Sequence, residues 1–299
     1  MPSAPCDALR KQGYQFFSKT TSAALKPCMW CKRALEGGDM CYKHQFYGID
    51  SHRCVQLTPT LACNQRCLFC WRSFEHDMAE AEECSPETIL AGIHKFQKRA
   101  LAGYNAVLDN TVTEERWKEA LDPKHVAISL SGEPTLYRKL PELIDLFNRN
   151  GYTTFLVSNG TNPGMLKRCS PYQMYVSLDA PDKETYHAIC RPLGDYWEQV
   201  QESLSILGTR RSAVRITLVK GLNDFAPEKY AAMLQDSGAN FVEVKGYMFL
   251  GYSRNRLKRE NMPEHDAVRS FAEKIAKASD YRIKDENRLS RVVCLERVT

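Results

Sequence analysis

Residues 54–74 read CVQLTPTLACNQRCLFCWRSF. A short apolar run, CVQLTP, has the β-rich character of a strand and ends at Pro59; three cysteines follow, Cys63, Cys67 and Cys70, spaced C-x3-C-x2-C. A structural zinc site needs four protein ligands, and this loop supplies three, with no histidine until His76. Three thiolates on a cubane iron–sulfur cluster leave one iron open, and an open iron can take a further ligand. Phe69 adds an aromatic ring one residue before the last cysteine.

From Lys124 onward, β-rich runs alternate with helical stretches. The runs are HVAISL, TTFLVS, QMYVSL, AVRITLV and NFVEVKGY; between them lie LPELIDLFNRN, KETYHAIC, YWEQVQESLSILG and PEKYAAMLQDSG, apolar at roughly helical spacing. With CVQLTP and the stretch SPETILAGIHKFQKRAL, capped by Ser85, this predicts six βα units around a parallel sheet. Polar residues close several runs: Glu133, Asn159, Asp179 and Asn223. In a βα barrel those ends share one face, where active sites are built. Asn and Asp also open loops and cap helices for structural reasons, so each residue alone is ambiguous.

The expected organisation is an N-terminal cysteine-rich layer over 1–53, irregular in outline, a barrel over 54–260, and a helix with a closing strand over 261–299. A net charge of +5 on 299 residues is compatible with one basic patch but does not demand nucleic acid. No run of eighteen apolar residues occurs and the N-terminus lacks the plan of a secretory signal, so a cytoplasmic protein is expected. In that compartment twelve cysteines point away from disulfides. Seven of them crowd into Cys28–Cys70; Cys84 follows, while Cys6, Cys169, Cys190 and Cys294 stand alone and read as ordinary small residues. Cys28, Cys41 and Cys54 repeat as C-x12-C-x12-C; with Cys31 they also make a plausible four-ligand zinc set.

The C-x3-C-x2-C loop after a first strand, with SLSGEPTL, VSNGT and VSLDA behind it, resembles the radical S-adenosylmethionine (SAM) superfamily over roughly residues 54 to 250. The resemblance implies an α/β fold, a partial (β/α)6 TIM-like barrel. It implies a [4Fe–4S] cluster on Cys63, Cys67 and Cys70, with the amino and carboxylate groups of SAM on the fourth iron. Phe69 would lie near the adenine, Glu133 would accept from the amino group, with Ser131 where the superfamily has glycine, and Ser158, Asn159, Ser177 and Asp179 would line the cosubstrate.

The equally spaced triplet, with SGEPTLY, SLDAP and EVKGYMFLGYSR, further resembles the tRNA 4-demethylwyosine synthase family in its archaeal single-domain form. That resemblance implies a second [4Fe–4S] cluster on Cys28, Cys41 and Cys54, with Cys31 a bystander, and a Schiff base between Lys43 and pyruvate. The implied reaction converts 1-methylguanosine at position 37 of phenylalanine tRNA to 4-demethylwyosine with pyruvate as two-carbon donor, in wyosine biosynthesis. Lys245 and Tyr247 could contact pyruvate or the base. The basic stretch GYSRNRLKRE offers Tyr252, Arg254, Arg256, Lys258 and Arg259 to RNA, and Arg210, Arg211 and Arg215 form a weaker patch. An external flavodoxin- or ferredoxin-type electron donor and a monomeric enzyme are expected.

One expectation is geometric. A straight run from Cys54 to Cys63 would span roughly 30 Å at about 3.3 Å per residue, so two cooperating clusters need the chain to bend at Pro59 and turn Cys54 to the barrel mouth. A Cys54 at the opposite barrel end would sink the two-cluster reading. Two other readings stand beside this one: a glycyl-radical activase, and a zinc-stabilised RNA-binding protein without catalysis.

Overall fold

In a computed structural model the described residues are 4–74, 82–107 and 111–298. The chain forms two compact units. The first gathers Met1–Ala62, His76–Val157 and Arg168–Tyr172. Its strands are β1 (Gln15–Phe16), β2 (Ala24–Leu25), β3 (Cys54–Thr58), β4 (His125–Ile128) and β5 (Thr153–Ser158). β3, β4 and β5 run parallel, and the short β1–β2 pair adds antiparallel on the β3 side. Helices α1 (Ala4–Lys11), α2 (Met29–Leu35), α3 (Tyr42–Tyr47), α4 (Pro86–Leu101), α5 (Glu114–Leu121) and α6 (Leu140–Arg149) complete it.

The helices start where side chains satisfy their orphan amides. The hydroxyl of Ser85 accepts from the Thr88 amide at the head of α4, and Thr113 accepts from Arg116 at the head of α5. Helix α6 buries Leu140, Leu143, Ile144 and Phe147 completely, each side chain contributing about 1.5–3 kcal/mol by leaving water.

Two expectations change here. The N-terminal layer is not irregular: its cysteines sit at helix starts, Cys28 capping α2 and Cys41 preceding α3. Nor does Pro59 turn Cys54 to the loop end. β3 runs unbroken from Cys54, which pairs in register with His125, the first residue of β4, and Pro59 lies beyond the strand. Cys54 therefore stands at the N-terminal end of its strand, which counts against both cysteine sets meeting at one strand end.

The second unit gathers Cys63–Glu75, Ser158–Lys167 and Gln173–Thr299. It holds α7 (Pro163–Arg168), β6 (Gln173–Ser177), α8 (Lys183–Cys190), α9 (Trp197–Ser205), β7 (Ser212–Leu218), α10 (Pro227–Ser237) and β8 (Phe241–Gly246). Helix α11 (His265–Lys277) is followed by β9 (Tyr281–Asn287) and β10 (Val292–Arg297). β6, β7 and β8 are parallel. The C-terminal part brings two strands rather than one: β10 lies antiparallel between β8 and β9.

Candidate functional site

In the second unit the three-cysteine loop is held on two sides. On one, the amide of Arg66 donates to the Cys190 carbonyl at 3.0 Å and that of Leu68 to Ile189 at 2.9 Å, so the loop lies against the end of α8. On the other, Arg256 donates from Nε to the Leu68 carbonyl at 3.2 Å and from Nη2 to the carbonyls of Cys70 and Arg72. Phe69, half-buried, packs with Leu68 against Val219, Tyr247 and Leu257.

The three thiols are in no disulfide and are half-buried. Cys67 Sγ donates to Gln65 Oε1 at 3.3 Å, and Gln65 Nε2 donates to the Tyr186 hydroxyl at 2.8 Å. A hydrogen bond with Cys190, then burial, then the charges of Cys190 and Asp179 push the Cys67 thiol well above the usual range. Burial and the neighbouring Cys67 push Cys70 up to about 11, against the pull of Arg72 and Arg256. Cys190 is therefore not the isolated filler that its position in the sequence suggested; nothing in cysteine spacing marks it.

The remaining cosubstrate candidates stand at strand ends, each tied into its loop. Glu133, buried, accepts at Oε1 from the amide and hydroxyl of Thr135, and its own amide donates to Ala62 at 2.7 Å. Before it, Gly132 has φ 71°, and a Cβ there would come within 2.4 Å of the Thr60 carbonyl, while the Ser131 carbonyl accepts from Thr58. Only glycine fits that crossing. Ser158 Oγ accepts from the Gly160 amide. Asn159 donates to Asn64 Oδ1 at 2.9 Å and accepts from the amide and hydroxyl of Thr161, while Asn64 donates back to Thr161, so the loop residue between Cys63 and Gln65 is locked to the end of β5. Ser177 is half-buried at the end of β6. Asp179 accepts from the Thr217 amide at 2.6 Å, and burial pushes its carboxyl up to about 6. Asn223 turns inward to the Val219 amide and the carbonyls of Asp179 and Thr217, a structural use.

In the first unit Cys28, Cys41, Cys54 and Lys43 come together. Burial raises the Cys54 thiol, the charge of Cys28 adds to it, Lys43 opposes, and Cys41 adds again. Cys28 is likewise raised by burial and lowered by hydrogen bonds at Cys31 and Trp30 and by the Lys43 charge. Lys43 is 8% exposed, with Nζ 4.8 Å from the centre of the Phe155 ring. Gln56, Ala127 and Phe155 share one row across β3, β4 and β5, and Cys54, two residues before Gln56, points to the same face. Lys43 and Cys54 therefore look onto one sheet face. Cys31 sits beside this set: it is fully buried, with Sγ 3.8 Å from the His52 carbonyl, and burial, then the charges of Cys28 and Cys54, raise its thiol well above the usual range.

The basic stretch divides. Arg254, Lys258 and Arg259 are exposed, Tyr252 is half-buried, and Arg256 is turned onto the cysteine loop. Lys245 donates to the Ser290 carbonyl and Tyr247 bonds Ser253. Arg215, from the weaker patch, points inward to Glu243, fully buried, at 2.7 Å, and Arg211 donates to Gln173. His76 lies outside the described residues.

Two family profiles divide the chain: the radical SAM superfamily matches residues 57–234, and wyosine base formation matches 236–297. A Methanocaldococcus jannaschii protein named S-adenosyl-L-methionine-dependent tRNA 4-demethylwyosine synthase is 42% identical over 96% of this chain and 94% of its own length. The chain belongs to the tRNA 4-demethylwyosine synthase family. A Pyrococcus abyssi synthase of the same name is 43% identical over 99% of the chain and 90% of its own length. Among solved structures, one described as TYW1 with a lysine-pyruvate adduct bound superposes with TM-score 0.91 at 41% identity, covering 99% of this chain and 96% of that one. The archaeal TYW1 crystal structure gives 0.82 at 36% identity, over 99% and 96%. The synthase fold is a mixed α/β partial barrel whose sheet does not close, of the radical SAM kind.

Radical SAM membership implies a [4Fe–4S] cluster and SAM. The donors in the 63–70 loop fit such a group: three half-buried thiols outside any disulfide, of which Cys67 and Cys70 are held against ionisation by their surroundings, as iron coordination relieves. The set Cys28, Cys41 and Cys54 has the same character. No helix among the described residues is long and apolar enough to cross a membrane.

Proposed function

We propose that this protein converts 1-methylguanosine at position 37 of phenylalanine tRNA to 4-demethylwyosine, a carbon–carbon lyase reaction of the cytoplasm that takes two carbons from pyruvate. The observation that carries the reading is Lys43, buried among Cys28, Cys41 and Cys54 in a chain whose 41%-identical structural relative is described with a lysine-pyruvate adduct. Cys63, Cys67 and Cys70 would hold the SAM cluster; although Cys54 does not turn to the loop end, its gathering with Cys28 and Cys41 around Lys43 supports a second cluster on those three. When bound, the first cluster and SAM together supply one-electron cleavage of a sulfonium bond and hence a radical able to take hydrogen from the N-methyl group.

The chain's own residues do the rest. Phe69, Glu133, Ser158, Asn159, Ser177 and Asp179 would serve the cosubstrate, with Asn159 oriented by Asn64 and Glu133 by Thr135. Lys43 attacks the pyruvate carbonyl as the neutral amine: the new C–N bond forms, water leaves, and the imine holds the two carbons in place. The fold supports this by position: Lys43 is buried beside the Phe155 ring and the three cysteines, which holds its amine in one place. Arg254, Lys258 and Arg259, with Tyr252 for stacking, receive the anticodon loop, since the target base must leave its stack. Electrons come from an external flavodoxin- or ferredoxin-type donor, and the enzyme acts as a monomer.

Anaerobic incubation with reductant, SAM, pyruvate and the methylated tRNA tests this. The expected outcome is the tricyclic nucleoside by mass spectrometry; intact 1-methylguanosine after SAM cleavage would overturn it.

A further inference from the structure

The stretch 251–257 makes two kinds of contact at once. Toward the cysteine loop, Arg256 places its planar fork on the carbonyls of Leu68, Cys70 and Arg72 and lies over the Phe74 ring at 4.2 Å. The Tyr252 amide donates to the Trp71 carbonyl at 3.0 Å, and Gly251, at φ 55°, leaves no room for a Cβ, which would fall 2.3 Å from that same carbonyl. Leu257 packs beneath Leu68 and Phe69. Within the turn, Ser253 bonds the Tyr247 hydroxyl at 2.9 Å and donates to the Leu250 carbonyl at 2.6 Å. Away from the loop, Arg254 and Lys258 flank Arg256, are exposed, and are joined by exposed Arg259. These residues lie within the wyosine-formation profile, whereas the loop they grip lies within the radical SAM profile.

We propose that 251–257 is a clasp that couples RNA occupancy to the cysteine loop, with Arg256 as the positioning residue. The proposal rests on reading Arg254, Lys258 and Arg259 as part of the tRNA rim. Phosphates on the outer cations order a short turn, and that turn holds three consecutive parts of the loop through one guanidinium. A lysine cannot replace it, because a single ammonium lacks the planar fork needed for several carbonyls. Coupling is reciprocal: if tRNA tightens the loop, a tight loop favours tRNA.

The test is amide hydrogen exchange of residues 64–72 in the full-length reconstituted protein, kept anaerobic, with and without methylated tRNA. In the wild type, tRNA should slow exchange in this loop by about 5- to 150-fold, the range typical of coupled sites. Arg256→Lys and Arg256→Ala should lose that tRNA-dependent slowing and, at saturating tRNA, still form the complex, with affinity lowered by the same factor as the lost slowing. Retained slowing in a folded Arg256→Lys protein overturns the role of Arg256. The wild-type comparison is decisive even if a variant fails to fold: unchanged loop exchange on saturation with tRNA overturns the clasp. The triple variant Arg254→Ala, Lys258→Ala, Arg259→Ala separates the two readings. Wild-type affinity in it removes the rim and the clasp with it; weakened affinity beside a wild-type loop that ignores tRNA removes the clasp alone.

Discussion

Lys43 and Gly132 are the residues on which chemistry and geometry press hardest. Lys43→Ala removes the only amine placed in the charge field of Cys28 and Cys54 by the described contacts, so product formation should fall to background while 5′-deoxyadenosine is still released from SAM. Chromatography of both products from one reaction checks it, and undiminished wyosine formation would remove the Schiff-base role. Gly132→Ala is a backbone test. The left-handed conformation alone costs a non-glycine residue about 1–2 kcal/mol, and the overlap with the Thr60 carbonyl adds to that. Urea denaturation should show a lower midpoint with an unchanged slope. At this scale the sequence was partly legible. The spacing of Cys63, Cys67 and Cys70 stands out because ligands of a loop-borne cluster must be close along the chain. Gln65, Tyr186 and Cys190 did not stand out, since their bonds to Cys67 and to one another span up to 123 positions in sequence and follow no spacing rule.

At the scale of elements, propensity and capping were read well where helices were long and amphipathic. TTFLVS and KETYHAIC coincide with β5 and α8, and Ser85 caps α4. Helices α2 and α3 escaped because each is short, carries polar or aromatic residues, and opens on a cysteine, which belongs to no capping pattern. Helix α5, EERWKEAL, escaped for its single deeply packed stripe of Trp117 and Ala120. Pro59 was read as a bend inside the run, but β3 ends first, so the proline terminates the strand instead. Two element-level outcomes follow. Leu143→Ala in α6, with its side chain wholly enclosed, should cost about 2–5 kcal/mol, read from the same denaturation midpoint. Asp182 caps α8 by accepting from the Thr185 amide, and the Thr185 hydroxyl, then Lys229, hold its carboxyl down to about 2. Because the folded value is depressed, its contribution is complete above the unfolded carboxylate range near pH 4 and is lost as pH falls through about 2. Asp182→Ala should therefore destabilise the protein by about 1 kcal/mol at neutral pH and by less in acid, measured by denaturation at both values.

For the whole molecule, one pattern occurs twice: three thiols gathered by the fold, with a further cysteine beside them, Cys190 at the loop and Cys31 at the helix starts. In the second unit the loop is gripped by α8 and by the stretch after β8; in the first, two helix starts and a strand start converge around Lys43. That convergence joins residues from separate elements, so equal spacing in sequence hinted at it without explaining it. The zinc alternative adds Cys31, which lies in the charge field of Cys28 and Cys54, so metal content decides between the two readings. Anaerobic reconstitution should accordingly yield about eight irons per chain, two cubanes of four; about four would leave the second set empty, and one zinc per chain would favour a binding module. The most direct test of the central claim is the anaerobic reaction run with pyruvate labelled with carbon-13 at its second and third carbons, wild type beside Lys43→Ala. The account predicts a tricyclic nucleoside carrying both labels from the wild type and none from the variant. A labelled product from both proteins, or an unlabelled one from either, would contradict it.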